Sequence, residues 1–308
     1  DVYKRQYIRR LYMNNEIENL LPKKYLEAYR LAEHKQAIEE IRLRVNGPIM
    51  FYGKSGEIYA GENILVKKED IEEAMEYIFG YSMYAYENQI KEGFVTIRGG
   101  HRVGVAGKIV MDGDNIKNIT NISSINIRIS HEVYGAGEKL APYIFEKKIS
   151  NVLIISPPMA GKTTLLRDLI RIGSDTYKLK ISVIDERGEL GAVYMGEPCN
   201  NIGIRSDVFD NAPKDRGIMM SIRAMSPQII AVDEIGQAAD VKALLEAFNC
   251  GVKVFATIHG TGLEDISKKD RFSQVIKEGY FDRFIILSKN TDGTREIQLC
   301  DENGSVIK

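Results

Sequence analysis

The sequence predicts an α/β protein in which a doubly wound parallel sheet follows a smaller α+β domain. The main observation is a continuous apolar run at 151–155, typical of a strand buried on both faces of a parallel sheet. Further apolar runs alternate with helical segments, as expected when helices connect parallel strands. These runs lie at 179–184, 229–232, 252–257 and 284–287. We therefore expect an N-terminal α+β domain over residues 1–148 and a second domain over 149–308.

The N-terminal half has a more mixed pattern. Its apolar residues first follow helical spacing and later form short β-like runs between glycines. The expected elements are a helix over 15–45, short strands within 46–66, a helix over 68–79, strands at 94–97, 103–111 and 125–129, and a helix near 138–148. Asp112-Gly113-Asp114 is the expected hairpin turn. Residues 1–12 are expected to be disordered or non-native.

Four helical segments are expected in the second domain, alternating with its strands. They lie at 162–172, 213–225, 237–249 and 263–277. The last apolar run is followed by Asp292-Gly293 and by one more strand-like run. Because Asp-Gly between two such runs is a hairpin signal, we expect a hairpin to finish the sheet.

The composition excludes several classes of protein. The 308 residues are 44% hydrophobic and 28% charged, as in ordinary globular domains. The 42 basic and 43 acidic residues nearly cancel, so bulk attraction to nucleic acid or anionic lipid is not expected. No apolar run reaches the roughly 18–20 residues of a membrane-spanning helix. The separated histidines and the three cysteines (Cys199, Cys250, Cys300) indicate neither zinc nor disulfides, and we expect a reducing cytoplasm.

A phosphate-binding loop is predicted after the first strand of the second domain. The strand leads into Ser156-Pro157-Pro158-Met159-Ala160-Gly161-Lys162-Thr163-Thr164 and then into an apolar helix, which is the context of a P-loop. Backbone N–H groups at a helix start bind phosphate oxygens. We expect Lys162 to reach the β- and γ-phosphates of ATP and Thr163 to ligate Mg²⁺. Ser156 replaces the motif's first glycine, and its effect on ATP affinity stays open.

Two pairs of acidic residues end neighbouring apolar strands. Asp233-Glu234 follows the run at 229–232, and Asp185-Glu186 follows the run at 179–184. The carboxyl ends of parallel strands line the crevice where ligands bind. We expect Asp233 and Asp185 to be metal ligands and Glu234 to activate the attacking water, with Glu186 as the competing general base. Either pair alone could also be a solvated acidic turn.

Three more residues are candidates for contact with the transferred phosphate. His259 ends the strand at 252–257 and can donate to the γ-phosphate, although a lone histidine is often structural. Arg216 and Arg223 share one face of the helix before the acidic strand. Arginine stabilises transferred phosphate, whereas salt bridges to neighbours are the alternative role.

The ordered set of motifs resembles a known group of enzymes. It comprises the P-loop, Asp185-Glu186-Arg187, the segment 216–227, Asp233-Glu234-Ile235-Gly236 and Thr257-Ile258-His259-Gly260. This set is similar to the secretion-ATPase branch of RecA-like P-loop NTPases, which includes type II and type IV secretion and pilus-motor enzymes. Within that branch, the chain most closely resembles the stage III sporulation AA family, including the motifs at 96–104 and 126–129.

The resemblance implies a fold, an activity and an assembly. It implies a RecA-like ATPase domain, ATP and Mg²⁺ as ligands, and a homo-oligomeric ring, commonly a hexamer, with the nucleotide between the N-terminal and RecA-like domains. N-domain arginines of such relatives face nucleotide, so Arg98, Arg102 and Arg128 are candidates, with β-surface charge as the alternative. The family further implies a cytoplasmic mother-cell ATPase that is docked on membrane proteins and energises a channel to the forespore.

Two other function classes compete with a secretion motor. One is a RecA-like nucleic-acid translocase, which the absence of an appended basic module disfavours. The other is a nucleotide-dependent scaffold with little turnover. Lys162 and two intact acidic pairs disfavour the scaffold, while Ser156 leaves it open.

Overall fold

The chain forms two compact units, Asp1–His131 and Glu132–Lys308. A computed structural model describes residues 17–58, 64–79, 93–268, 270–289 and 295–308, so residues 1–12 lie outside the described part. The division falls earlier than the boundary that we expected after residue 148. Its position follows from packing, because Leu140, Ile144 and Phe145 belong to the apolar core of the second unit.

In the residues that the structure describes, the first unit is an antiparallel sheet with two α-helices. Its strands have the order β3-β2-β1-β6-β5-β4. The elements are a 3₁₀ turn at Lys23–Tyr25, α1 at Leu26–Lys35, β1 at Glu40–Arg44, β2 at Met50–Gly53, β3 at Gly56–Ile58, α2 at Lys68–Phe79, β4 at Phe94–Ile97, a 3₁₀ turn at Arg98–Gly100, β5 at His101–Asp112 and β6 at Asn115–Arg128.

The expected elements of this unit are confirmed in part. Helix α2 has the predicted bounds, and β5 and β6 are joined at the predicted turn. The predicted helix over 15–45 is wrong beyond Lys35, because β1 is a strand. Its alternate residues Ile41 and Leu43 are buried while β1 pairs with β2 and β6, so sheet pairing overrides the helical spacing.

The first unit should lose stability in mild acid because of His101. This side chain is fully buried, and its Nδ1 accepts the Ser130 N–H at 3.1 Å. Burial, followed by the charge of His131, lowers the pKa of His101 to about 4. The folded state therefore keeps His101 neutral, whereas the unfolded chain binds a proton below pH ~6.5.

We expect the contribution of His101 to be fully present above pH ~6.5 and to be lost as pH falls toward 4. The loss amounts to about 2 kcal/mol at pH 5. Urea unfolding of the whole protein at pH 7.5 and pH 5, followed by circular dichroism, measures it. His101→Asn removes the titrating group and should flatten this pH dependence; an equal slope in both proteins would contradict the assignment.

The second unit is a seven-stranded sheet flanked by helices. Its strand order is β11-β8-β12-β13-β7-β14-β15, and every pair is parallel except β14 with β15. The elements are α3 at Ala141–Phe145, β7 at Val152–Ser156, α4 at Lys162–Asp175, β8 at Ile181–Asp185, β9 at Val193–Tyr194, β10 at Glu197–Pro198, β11 at Ser206–Asp210, α5 at Lys214–Ala224, β12 at Ile229–Val232, α6 at Ala238–Asn249, β13 at Lys253–His259, α7 at Leu263–Ser267, α8 at Asp270–Lys277, β14 at Arg283–Lys289 and β15 at Arg295–Cys300.

The predicted parallel sheet is confirmed, with three differences. The helix expected over 263–277 is two shorter helices, α7 and α8. Strand β11 and the small β9–β10 pair were not predicted. Strand β11 lies at the sheet edge and is only partly buried, so it lacks the continuous apolar run of the central strands. The β14–β15 hairpin is present, while Asp292-Gly293 lies outside the described residues.

The sheet brings the ends of four strands to one edge. His259 of β13 lies opposite Ser156 of β7, and Val232 of β12 lies opposite Ile184 of β8. Because the four strands are parallel, the residues after each of them share the carboxyl edge of the sheet. Over the part of the chain that the structure describes, no helix is both long and apolar enough to cross a membrane.

Candidate nucleotide-binding site

The loop between β7 and α4 is shaped by prolines and by left-handed backbone. Pro157 and Pro158 have no N–H group, so the backbone donors available to a ligand begin at Met159. Gly161 precedes α4 with φ 99°, and Met159 has φ 62°. The first N–H groups of α4 have no partner within the helix, which makes its start suitable for an anion.

Ser156 adopts the extended backbone that a following proline favours. It is the last residue of β7, it is fully buried, and its hydroxyl donates to the Pro157 carbonyl at 2.9 Å. A serine therefore fits this position without left-handed backbone. The motif's missing glycine does not distort the described strand.

The loop lysine forms a buried ion pair with the acidic residue after β12. Lys162 Nζ donates to Glu234 Oε1 at 2.6 Å, and the side chains are 8% and 15% exposed. His259 Nε2 lies 3.0 Å from the same Glu234 oxygen and 3.4 Å from Lys162 Nζ. The structure thus brings together three predicted site residues, from α4, from the turn after β12 and from the end of β13.

A second group of oxygen atoms lies beside this ion pair. Thr163 Oγ1 donates to Asp233 Oδ2 at 2.6 Å, and the Thr257 hydroxyl donates to the other oxygen of Asp233. Mg²⁺ prefers oxygen ligands and takes only one or two from protein when it binds with phosphates. Thr163 and Asp233 fit that requirement. Among the described residues, no cluster of three or more His, Cys, Asp or Glu side chains forms a complete metal cage.

The two carboxylates after β12 are shifted in opposite directions. Burial raises the pKa of Asp233, while hydrogen bonds from Thr163 and Thr257 and the charge of Lys162 oppose the increase. Burial also favours a higher pKa for Glu234, but the hydrogen bond and charge of Lys162 outweigh it and hold the pKa below its ordinary value. The pKa values of these adjacent carboxylates thus shift in opposite directions. Glu234 has a close cationic partner that favours its charged form, whereas burial dominates the shift of Asp233.

The other acidic pair is placed differently from our expectation. The Asp185 carboxylate is 2% exposed and accepts the N–H groups of Glu189, Leu190 and Gly191 at 2.8–3.0 Å. Both of its oxygens are therefore used in holding the turn after β8. These contacts favour a structural role for Asp185, while its expected metal role stays a prediction. Glu186 pairs with Lys214 at the start of α5 instead of joining Lys162.

Three residues near the site were not predicted as site residues. Arg187 Nη1 contacts Glu234 Oε2, and Arg167 Nη2 donates to the Glu189 carbonyl at 2.6 Å. Burial lowers the pKa of Arg167, and the Glu189 charge raises that of Asp233. Arg187 and Glu189 follow the acidic pair after β8. Their position after a central strand could therefore have indicated, from sequence alone, that they lie near the site. In the sequence around Arg167, no feature distinguishes this residue from an arginine on the exposed face of α4.

Among the described residues, Arg216 and Arg223 make no hydrogen bond or ion pair with this site, so their predicted role stays a prediction. Both lie on the exposed side of α5, whose buried residues are Gly217, Ile218 and Ser221. The hydrogen bonds and ion pairs found among the described residues join neither arginine to the loop or to Glu234.

The three N-domain arginines lie near each other in the first unit. Arg102 of β5 is directly opposite Arg128 of β6, and Arg98 lies in the turn before β5. The Arg102 guanidinium is 5.2 Å from the centre of the Phe94 ring. Two like charges opposite each other in a sheet are unfavourable unless an anion or acid balances them.

The chain matches a family model over nearly its whole length. The model described as sporulation stage III, protein AA, matches residues 4–307. The chain belongs to the sporulation stage III protein AA family. One family member, stage III sporulation protein AA of Bacillus subtilis (strain 168), is 39% identical over 299 residues, which cover 95% of this chain and 97% of that protein. The match begins inside the segment that we expected to be disordered or non-native.

Solved structures show which fold this family member has. It is similar to the pilus retraction motor PilT with bound ADP, with a TM-score of 0.63, 15% identity and coverage of 89% of this chain and 81% of that one. It is also similar to the Legionella pneumophila ATPase DotB, with a TM-score of 0.56, 19% identity and coverage of 88% and 77%. The predicted fold, a RecA-like parallel-sheet domain preceded by a smaller α+β domain, is therefore confirmed.

Proposed function

We propose that this protein binds ATP at the loop after β7 and hydrolyses it. The observation that carries the proposal is the Lys162–Glu234–His259 group beside the Thr163–Asp233 pair. A phosphate-binding cation, a carboxylate base and oxygen ligands for a metal are the parts that phosphoryl transfer to water requires. The fold that the chain shares with the ATPase DotB and with the ADP-bound pilus retraction motor PilT supports the same reaction class.

In the proposed reaction, Lys162 and the first N–H groups of α4 bind the phosphate oxygens. Glu234 accepts a proton from water as the water oxygen bonds to the γ-phosphorus, and the bond to the bridging β–γ oxygen breaks to release ADP. Thr163 and Asp233 are the residues that would hold Mg²⁺, whose charge would offset that of the phosphates. His259, whose Nε2 lies 3.4 Å from Lys162 Nζ, would donate to the γ-phosphate from the same edge of the sheet.

Glu234→Gln should lower kcat for ATP hydrolysis by about 100-fold or more, because the amide cannot accept the proton from water. The amide oxygen can still accept a hydrogen bond from Lys162, so binding of a fluorescent ATP analogue should change little. Phosphate release and analogue titration measure the two effects.

Glu186→Gln is the matched control, since Glu186 is the other candidate base and pairs with Lys214. It should retain kcat within about threefold, as for a surface change away from the reacting atoms. The reverse ranking would transfer the role of base to Glu186. Stimulation of the wild type by single-stranded DNA would favour a nucleic-acid translocase, and binding without turnover would favour a scaffold.

We further propose that the protein assembles into a homo-oligomeric ring of six subunits. This ring energises a membrane-associated channel complex during sporulation. Family membership supports the sporulation role. Arg216 and Arg223 lie exposed on α5, where they can serve a site on a neighbouring subunit, and Arg98, Arg102 and Arg128 offer positive charge on the N-terminal unit. The proposed location is the mother-cell cytoplasm, where partner proteins would hold the ring at the membrane. Light scattering with and without ATP tests the ring, which a strict monomer at high concentration would contradict.

A further inference from the structure

The Glu234 carboxylate is held from two sides. One oxygen, Oε1, is shared by Lys162 Nζ and His259 Nε2, while the other, Oε2, contacts Arg187 Nη1. The lysine is almost fully buried, whereas the Arg187 side chain is 61% exposed. The carboxylate therefore has one cation on the loop side and a second cation on the solvent side.

Binding of a triphosphate would change these two contacts unequally. Lys162 lies at the start of α4, where phosphate oxygens compete with Glu234 for its ammonium group. The same phosphates repel the Glu234 carboxylate, since like charges a few ångströms apart interact strongly in a partly buried site. Arg187 approaches from the other oxygen and does not depend on the Lys162 contact. It is the cation that remains to hold the carboxylate while Lys162 binds phosphate.

The chain on both sides of the Arg187–Glu234 contact is fixed by hydrogen bonds. The turn after Arg187 is held by the Asp185 carboxylate and by the bond from Arg167 to the Glu189 carbonyl. Glu234 has left-handed backbone, with φ 54°, and its N–H donates to Thr257 Oγ1 at 2.8 Å. Two fixed backbones make the contact suitable for orienting a side chain, because a catalytic group needs support that limits its motion.

We propose that Arg187 is a positioning residue for Glu234, holding this carboxylate toward the attacking water while Lys162 binds the phosphates. This inference rests on the proposed ATPase function. In this proposal the guanidinium acts through its contact with Glu234 and not by binding the nucleotide. Removing it should therefore slow the chemical step and leave ATP binding almost unchanged.

The test compares steady-state kinetics of Arg187→Ala and Arg187→Lys with the wild type. We expect Arg187→Ala to lower kcat by about 10- to 100-fold with KM for ATP within about threefold. Arg187→Lys keeps a cation and should recover part of kcat. Arg30→Ala is the matched control, because Arg30 is 63% exposed and pairs with Glu18 in the first unit. It should leave kcat unchanged.

A double variant separates positioning from a general structural effect. In single-turnover reactions with Glu234→Gln, adding Arg187→Ala should cause no further loss of rate, since the carboxylate that it positions is gone. A full additional loss, or an unchanged kcat in Arg187→Ala alone, would overturn the inference while leaving the proposed ATPase function intact. Absence of turnover in the wild type would overturn both together.

Discussion

Replacing Lys162 with alanine is expected to lower kcat/KM for ATP by about 1,000-fold. Lys162 is the buried cation at the start of α4, and in the proposed site its ammonium would neutralise charge on the β- and γ-phosphates. Removing one preorganised charged donor from a transferred group typically costs two to three powers of ten. Loss of ATP affinity adds to that cost. Phosphate release at saturating and at limiting ATP separates the two contributions.

The control for this change must account for the ion pair that it removes. Lys162→Ala leaves the Glu234 carboxylate with Arg187 and His259 as neighbours, so the apo protein remains foldable although less stable. Thermal unfolding without nucleotide measures that loss separately from activity. Lys180→Ala removes an exposed lysine next to β8 and should change neither quantity. Turnover by Lys162→Ala within tenfold of the wild type would contradict the proposed site.

Much of the second unit was predictable because its central strands are buried on both faces. The run Val152–Ile155 has no polar residue that another structure would use, and the loop and helix that follow agree with it. Elements at the edges were harder to predict. In strand β1, the apolar residues have a spacing that also fits a helix over a short window. Strand β11 is more polar because it is the edge strand of its sheet.

The two acidic pairs show the limit of reading a site from local sequence. Asp185-Glu186 and Asp233-Glu234 each follow an apolar strand, so local pattern gives both the same role. The two pairs differ in their contacts. Glu234 accepts a hydrogen bond from Lys162, which lies 72 positions earlier, whereas Asp185 accepts hydrogen bonds from the backbone of its own turn. Only the arrangement of the strands decides which carboxylate faces the loop lysine.

Asp185→Ala is expected to destabilise the second unit by about 3 kcal/mol or more. The change leaves the N–H groups of Glu189, Leu190 and Gly191 without their buried acceptor, and each unsatisfied buried donor costs about 1–3 kcal/mol. We expect the midpoint of thermal unfolding to fall by roughly 6–12 °C, since 1 kcal/mol shifts a domain of this size by about 2–4 °C. Calorimetry measures the shift.

Asp185→Asn distinguishes this structural role from the metal role that the sequence suggested. The amide is uncharged and keeps one acceptor oxygen, so its midpoint should lie between those of the wild type and Asp185→Ala. Asp207→Asn, an exposed change on β11, should shift the midpoint little. If Asp185 were a metal ligand, Asp185→Asn would instead raise the Mg²⁺ concentration needed for half-maximal turnover at an unchanged midpoint. Because both Asp185 oxygens already accept backbone donors, we expect the midpoint to fall and the Mg²⁺ requirement to stay the same.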